Sequence, residues 1–146
     1  MKLYVASSWR NPHYFSVIEA LRNREFNVWD WRNPPTGGSG FRWQDAGFPD
    51  YQHGDKVTAE QWNAALHHPA SAIGFASDLC GMNWADEGIL LHPCGRSAHL
   101  EAGWMAGRGK KVHILAMEPV EPDLMILALN GSLCDNLDTL IERIGK

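Results

Sequence analysis

No run of like charges in this chain is longer than a pair, and the formal net charge is −4. Nonspecific binding to nucleic acid or to a membrane surface needs a basic patch, so neither partner is expected. No apolar run approaches a membrane span in length. The first one, Leu3 to Ala6, is only strand-sized, so no signal peptide is expected and the chain reads as cytoplasmic. Cysteine is scarce: Cys80, Cys94 and Cys134 are an odd number without a CxxC pair, which indicates neither a disulfide framework nor a zinc cluster. The seven histidines are scattered, and only His67 and His68 are close in sequence. Nothing has the spacing of a metal site, and a lone His99 reads as a structural or surface group. GxGxxG, the Walker loop and GxSxG are all missing, so no dinucleotide, triphosphate or nucleophile-elbow site is signalled. The sequence therefore calls for no metal and no cofactor.

What is present fits one domain over residues 1–146, since that length can bury a proper core. Hydrophobic residues make up 45% and charged residues 21%, ordinary for a globular chain, whereas seven tryptophans are unusual. The stretch Asp86 to Met117 organises the rest. Gly88 to His92 is a short apolar run, as in a strand buried on both faces of a parallel sheet. Pro93 and Gly95 stop it. Ser97 is a good N-cap for a helix carrying Ala98, Ala102 and Ala106 at helical spacing, and Gly109 ends that helix. Val112 to Met117 is a second apolar strand. The small helix face implies close approach to the sheet. In such a unit a ligand sits beyond the carboxyl ends of the strands, at the helix N-terminus.

Earlier in the chain, Lys2 to Ala6 predicts the first strand, with Ser7, Ser8 and Trp9 at its carboxyl end. Asn11-Pro12 starts a helix with Tyr14, Val17, Ile18 and Leu21 on one face. Asn27 to Trp31 predicts the second strand. The segment 32–57 is rich in Pro and Gly but also holds Phe41, Trp43, Phe48 and Tyr51. A loop of this length is usually functional or disordered, and its aromatics argue against disorder. They either form a lid over a planar ligand or pack as a satellite cluster. Thr58 to Gln61 is a capping box, and Pro69 opens a helix to about Trp84 with Phe75, Leu79 and Met82 on its apolar face. Pro122 opens a short helix from Asp123 to Asn130, capped by Gly131; Ser132 to Cys134 is an edge strand; Asn136 to Ile144 closes the chain as an amphipathic helix. The expected fold class is α/β: a flavodoxin-like, doubly wound sheet of about five parallel strands in the order 2-1-3-4-5.

That order puts the switch point between the first and third strands, so Ser7 to Trp9 and Pro93 to Ser97 share one mouth with Glu101. Carboxylates are the reactive groups left: Glu101 and Asp78, with Tyr4 beneath and Asp86 nearby. A nucleophilic carboxylate and an acid are the tools of N- or O-glycosidic cleavage, whose transition state is oxocarbenium-like. Each carboxylate also has a plainer reading. Glu101 is one position late for a capping box and would otherwise be a solvated Glu favouring the helix dipole. Asp78 lies near an apolar face, either paired and functional or partly exposed on the helix flank.

The segments Tyr4-Val-Ala-Ser-Ser-Trp9, Asp78-Leu-Cys-Gly-Met82, Gly95-Arg-Ser-Ala-His-Leu-Glu101-Ala-Gly, Gly109-Lys110 and Asp123-Leu-Met-Ile126 occur in this order. Together they resemble the nucleoside 2-deoxyribosyltransferase family over nearly the whole chain. The sister branch is the 2′-deoxynucleoside 5′-phosphate N-hydrolases. The resemblance implies that Glu101 attacks the anomeric carbon and forms a covalent deoxyribosyl–enzyme. It implies that Asp78 handles the proton of the leaving or incoming base and that Tyr4 positions the nucleophile. Asp123 falls where the transferases reach with an Asn into a neighbouring subunit to hold the sugar 5′-hydroxyl, which implies a homo-oligomer with sites near the subunit interface.

Three features depart from the transferase pattern. Gly95, Arg96 and Ser97 stand where the family carries an Asp before the nucleophile. Asp123 is a pure acceptor where the family has an amide. The chain also ends shortly after its last helix, without the C-terminal extension that completes the family's sugar pocket. Arg96 and Ser97 at a helix N-terminus suit a phosphate; otherwise Arg96 is a surface residue or a partner of Asp86 or Glu87. The expected substrate-binding residues are thus Ser7, Trp9, Gly95, Arg96, Ser97 and Asp123, and the partners are a small deoxynucleoside or deoxynucleotide and a nucleobase. Four functions follow in order: deoxyribosyl transfer between bases, hydrolysis of a 2′-deoxynucleoside 5′-monophosphate, non-catalytic nucleotide binding, and a structural α/β domain.

Overall fold

The computed structural model describes residues 1–146. Five strands form one all-parallel sheet in the order β2-β1-β3-β4-β5. They are β1 (Lys2–Ala6), β2 (Asn27–Trp29), β3 (Glu87–Leu91), β4 (Val112–Leu115) and β5 (Asn130–Cys134). The expected order and flavodoxin-like α/β class are both found, with helices on both faces. The geometry behind this is simple. The chain steps from β1 to β2 in one direction and from β3 to β4 in the other. Right-handed crossovers then place helices α1 (Tyr14–Asn23) and α4 (Arg96–Gly107) on opposite faces. Helix α5 (Leu137–Arg143) packs on β4 and β5.

The chain divides into two compact units: residues 1–30 with 81–146, and residues 31–80. The first holds the whole sheet. Its inner strands are buried apart from Lys2 at the start of β1, and the buried residues include Leu3, Tyr4, Val5, Ile89, Leu90 and Leu91. Helix α1 buries Tyr14, Val17, Ile18 and Leu21, the face expected from their spacing. Helix α4 buries Ala98, Ala102 and Met105, and Met105 lies over Gly88, where a Cβ would come within 3.0 Å of its methyl group. The small residues thus bring helix and sheet together as the sequence implied. One hydrogen-bonded polar pair is built into this core. The Ser132 amide donates to Nδ1 of the buried His113, which leaves Nε2–H to donate to Glu87 Oε2 at 3.2 Å. Burial lowers the His113 pKa against the pull of Glu87.

The second unit holds a short 3-10 helix (Trp43–Ala46), helix α2 (Ala59–Leu66) and most of helix α3 (Pro69–Trp84). Both bonds of the Thr58–Gln61 capping box form. The aromatics of the long loop meet in series: Phe41 edge-on to Trp43, then Trp43 with Phe48 and Phe48 with Tyr51 at tilted angles. Phe75 was expected on the apolar face of α3 but is 67% exposed. Within this unit α3 meets Phe41 through Gly74 instead, where an added Cβ would lie 2.6 Å from the Phe41 Cβ. That position is about 100° round the helix from Phe75.

Several boundaries differ from the sequence reading. Strand β2 stops at Trp29, and α1 begins at Tyr14 because Asn11 is engaged elsewhere. The short segment after Asp123 is a 3-10 helix (Leu124–Leu129), and its left-handed C-cap is Asn130, with φ 57°, rather than Gly131. Gly131 instead sits in β5 at a register shift against β4, where a Cβ would overlap the Val112 carbonyl. Lys110 closes the end of α3 by donating to the carbonyls of Met82, Asn83 and Ala85. No helix is long and apolar enough to cross a membrane.

Gly131→Ala must displace backbone to make room. Urea unfolding should show a loss of about 1–3 kcal/mol. Gly103→Ala, in open space on α4, should instead hold or gain stability by up to about 1 kcal/mol.

Candidate active site

In an open parallel sheet the crevice lies outside the carboxyl ends of the two strands from which the chain turns in opposite directions. Here these are β1 and β3. Their ends are joined by side chains from the segment after β1. Ser7 Oγ donates to the Leu91 carbonyl at 3.0 Å. The Asn11 amide nitrogen, in a side chain only 4% exposed, reaches Ser7 Oγ, Leu91 O and Pro93 O at 3.0–3.2 Å. Its oxygen accepts from the His13 amide at 2.8 Å. Asn11 is therefore a clamp across the switch point. Sequence reasoning saw in Asn11-Pro12 only a helix start. Ser7, expected to bind substrate, spends its hydroxyl on the same clamp. Trp9 is half-buried beside it.

Helix α4 follows the β3 end. Its N-cap is Gly95, not Ser97, and no side chain caps it. This corrects the expected start and moves Glu101 into the second turn, too far along for a capping box or for strong interaction with the helix end. Glu101 is half-buried, and the Tyr4 hydroxyl donates to its Oε2 at 3.2 Å. Tyr4 itself is completely buried in β1. A core residue of β1 thus carries a single polar atom to the carboxylate that the sequence singled out. Arg96 and Ser97 are exposed in the first turn of α4, and Gly95 is half-buried. Asp86 accepts from the Lys2 amide, and Glu87 from His113 and the Gly145 amide.

Asp123 is exposed and caps the 3-10 helix, its Oδ1 accepting from the Met125 amide at 2.8 Å. Its Oδ2 lies 3.9 Å from His99 Nε2. His99 belongs to a cluster that sequence spacing did not reveal. The Cys94 sulfur is 3.8 Å from His92 Nδ1 and 3.9 Å from His99 Nδ1. The three donor atoms all lie within 4.8 Å of one another. Burial, reinforced by the Glu101 carboxylate, pushes the Cys94 thiol up to about 12.

Asp78 lies on α3 in the second unit. It is half-buried, and loss of solvent raises its pKa to about 6. A carboxyl in this range holds or releases a proton near neutrality, as a general acid or base must.

No protein-family model and no curated protein matches the sequence. Solved structures do match. The 2-deoxyribosyltransferase of the psychrotolerant bacterium Bacillus psychrosaccharolyticus aligns with a TM-score of 0.56 at 20% identity, covering 95% of this chain and 89% of that one. The CMP N-glycosidase BcmB of Clostridium botulinum aligns with a TM-score of 0.56 at 14% identity, over 97% of both chains. A conserved protein of Enterococcus faecalis V583 gives a TM-score of 0.61 at 12% identity, covering 99% of this chain and 96% of that one. The chain thus has the fold of the nucleoside 2-deoxyribosyltransferase-like proteins, the group that its sequence motifs resemble.

The Asn11 clamp can be tested directly. Asn11→Ala removes the side-chain donor to the Pro93 carbonyl and one of the two to the Leu91 carbonyl, and should cost about 1–3 kcal/mol in urea unfolding. Asn11→Asp, which removes both N–H donors and adds a charge among oxygen acceptors, should cost more.

Proposed function

We propose that this protein cleaves the N-glycosidic bond of a 2′-deoxynucleoside with retention and transfers the deoxyribosyl group to a second base. The observation that carries this reading is the Tyr4–Glu101 hydrogen bond at the carboxyl edge of the sheet. A buried phenol holds one oxygen of a carboxylate and so fixes the plane from which it attacks. In the first step a Glu101 oxygen bonds to C1′ as the C1′–N bond breaks. The electron pair leaves with the base, which takes a proton from Asp78. In the second step a nitrogen of the incoming base attacks C1′, the C1′–O bond to Glu101 breaks, and the surplus proton returns to Asp78. The transition states are oxocarbenium-like, and the Glu101 carboxylate stabilises their charge. Ser7 and Asn11 act as positioning residues, while Trp9, Gly95, Arg96, Ser97 and Asp123 contact the substrate. The similarity to a 2-deoxyribosyltransferase structure supports nucleoside glycosyl chemistry in general.

A second reading is hydrolysis of a 2′-deoxynucleoside 5′-monophosphate, with water as the acceptor. It is favoured by the N-terminus of α4, which has no side-chain cap and has Arg96 exposed in its first turn. Such an end suits a phosphate. The structural similarity to a CMP N-glycosidase agrees with it. Under either reading we propose a homo-oligomer. Exposed Leu100 on α4 and Leu124, Met125 and Leu127 on the adjoining 3-10 helix supply apolar surface for a subunit contact.

Intact-protein mass spectrometry after incubation with 2′-deoxynucleosides, or with their 5′-monophosphates, should show a deoxyribosyl or 5-phosphodeoxyribosyl adduct, respectively, on the wild type and none on Glu101→Ala. Loss of that adduct on adding a free base, with a new nucleoside formed, marks transfer; loss to water from the monophosphate alone marks hydrolysis. No adduct and no released base from any donor would overturn both readings.

The pH dependence follows from Asp78. As an acid with a pKa near 6, it donates its proton below that pH and loses it above, so kcat/KM for base release should fall on the alkaline side of about 6. In Asp78→Asn that limb should vanish, with a rate loss on the order of 10²–10⁴-fold.

A further inference from the structure

We propose that His92, Cys94 and His99 form a binding site for a single Zn2+ ion, a function separate from the glycosidic chemistry. The three side chains come from the β3–α4 turn and the first turns of α4, so one short segment presents all three donors. Around a tetrahedral zinc with Zn–S about 2.3 Å and Zn–N about 2.0–2.1 Å, donor atoms stand about 3.4–3.6 Å apart. The two sulfur–nitrogen separations here, 3.8 and 3.9 Å, exceed that by a few tenths of an ångström. The three donor atoms lie within 4.8 Å of one another and the histidine rings stand edge to face with centroids 5.4 Å apart, so binding draws the two nitrogens closer by ring rotation.

The donor set selects the ion. Two imidazoles and a thiolate favour zinc and similar borderline or soft ions over Mg2+ and Ca2+, which take oxygen ligands. His92 is buried and Cys94 and His99 are half-buried, so the cluster is sheltered yet reachable. An outer carboxylate is also at hand. His99 Nδ1 donates to the Gly95 carbonyl at 2.8 Å, and coordination would exchange this bond for the ion. The ring proton would then sit on Nε2, which faces Asp123 Oδ2 at 3.9 Å. Carboxylate–histidine–metal pairs of this kind orient a ligand and raise its basicity. The balance is plain: Cys94 loses its thiol proton to solvent as the sulfur–metal bond forms, both histidines bind neutral, and a fourth position is left for water.

The test uses the purified full chain, dialysed against chelator and titrated with Co2+ as a spectroscopic stand-in for Zn2+. The wild type should develop a thiolate-to-cobalt charge-transfer band and tetrahedral d–d bands, saturate at one equivalent, and lose both on adding Zn2+ but not Mg2+. Cys94→Ser should abolish the charge-transfer band. Competition with a chromophoric chelator should show Zn2+ binding weakened at least about 100-fold in Cys94→Ser, His92→Ala and His99→Ala, and about 10–100-fold in Asp123→Ala. Cys80→Ser and Cys134→Ser should leave both readouts unchanged. A wild type without the charge-transfer band, a band that survives Cys94→Ser, or one lost in Cys80→Ser would overturn the site. None of these readouts depends on turnover, so the glycosidic reading can fail without the metal site failing, and the reverse.

Discussion

Strands β1 and β3 lie side by side although eighty residues separate them in the chain, and their carboxyl ends must meet in one register for a mouth to exist at all. Parallel pairing sets the register over Leu3 to Ala6, but it ends where the strands end. Beyond that point the Asn11 amide takes over and binds the backbone just past β3 from the segment just past β1. A parallel sheet leaves polar backbone groups at its rim, and a buried carbonyl without a donor is costly. One side chain that satisfies two such carbonyls therefore fixes the shape of the crevice and the starting point of α4. The position of Glu101 depends on that start.

Polar atoms in this unit are few and placed with economy. Tyr4 is wholly buried, and its ring packs as a core residue while its hydroxyl reaches Glu101. The core thereby orients a carboxylate without opening itself to water. His113 and Glu87 show the same economy in a purely structural setting, each taking up a backbone amide as well as the other. The difference lies in exposure: Glu101 stands at the rim of the sheet, half-buried, where a small molecule can reach it, whereas His113 does not.

Much of the architecture was legible because the signals were local. Alternating strand and helix patterns, small residues at helical spacing on α4 and the Thr58 capping box each depend on a few adjacent residues. Local rules failed where two of them competed. Ser97 is the better N-cap by residue type, yet the chain leaves β3 so that Gly95 occupies the cap. Gly131 looked like a helix stop, yet it serves close strand contact at a register shift, and Asn130 takes the left-handed position. Phe75 had the right spacing for a buried face, but Gly74 is the residue against which Phe41 packs.

The sequence by itself determined the α/β class, the strand order and the candidates Tyr4, Asp78 and Glu101, because periodicity, chain connectivity and a motif series are properties of the chain alone. Only the tertiary structure decided that Tyr4 reaches Glu101, that Asn11 is a clamp, and that His92, Cys94 and His99 converge. The physical reason is the same in each case. Those contacts depend on where a turn ends and how a ring is rotated, and neither is written in residue spacing: His92, Cys94 and His99 match no familiar ligand spacing, and only the β3–α4 turn brings their donor atoms within 4.8 Å of one another.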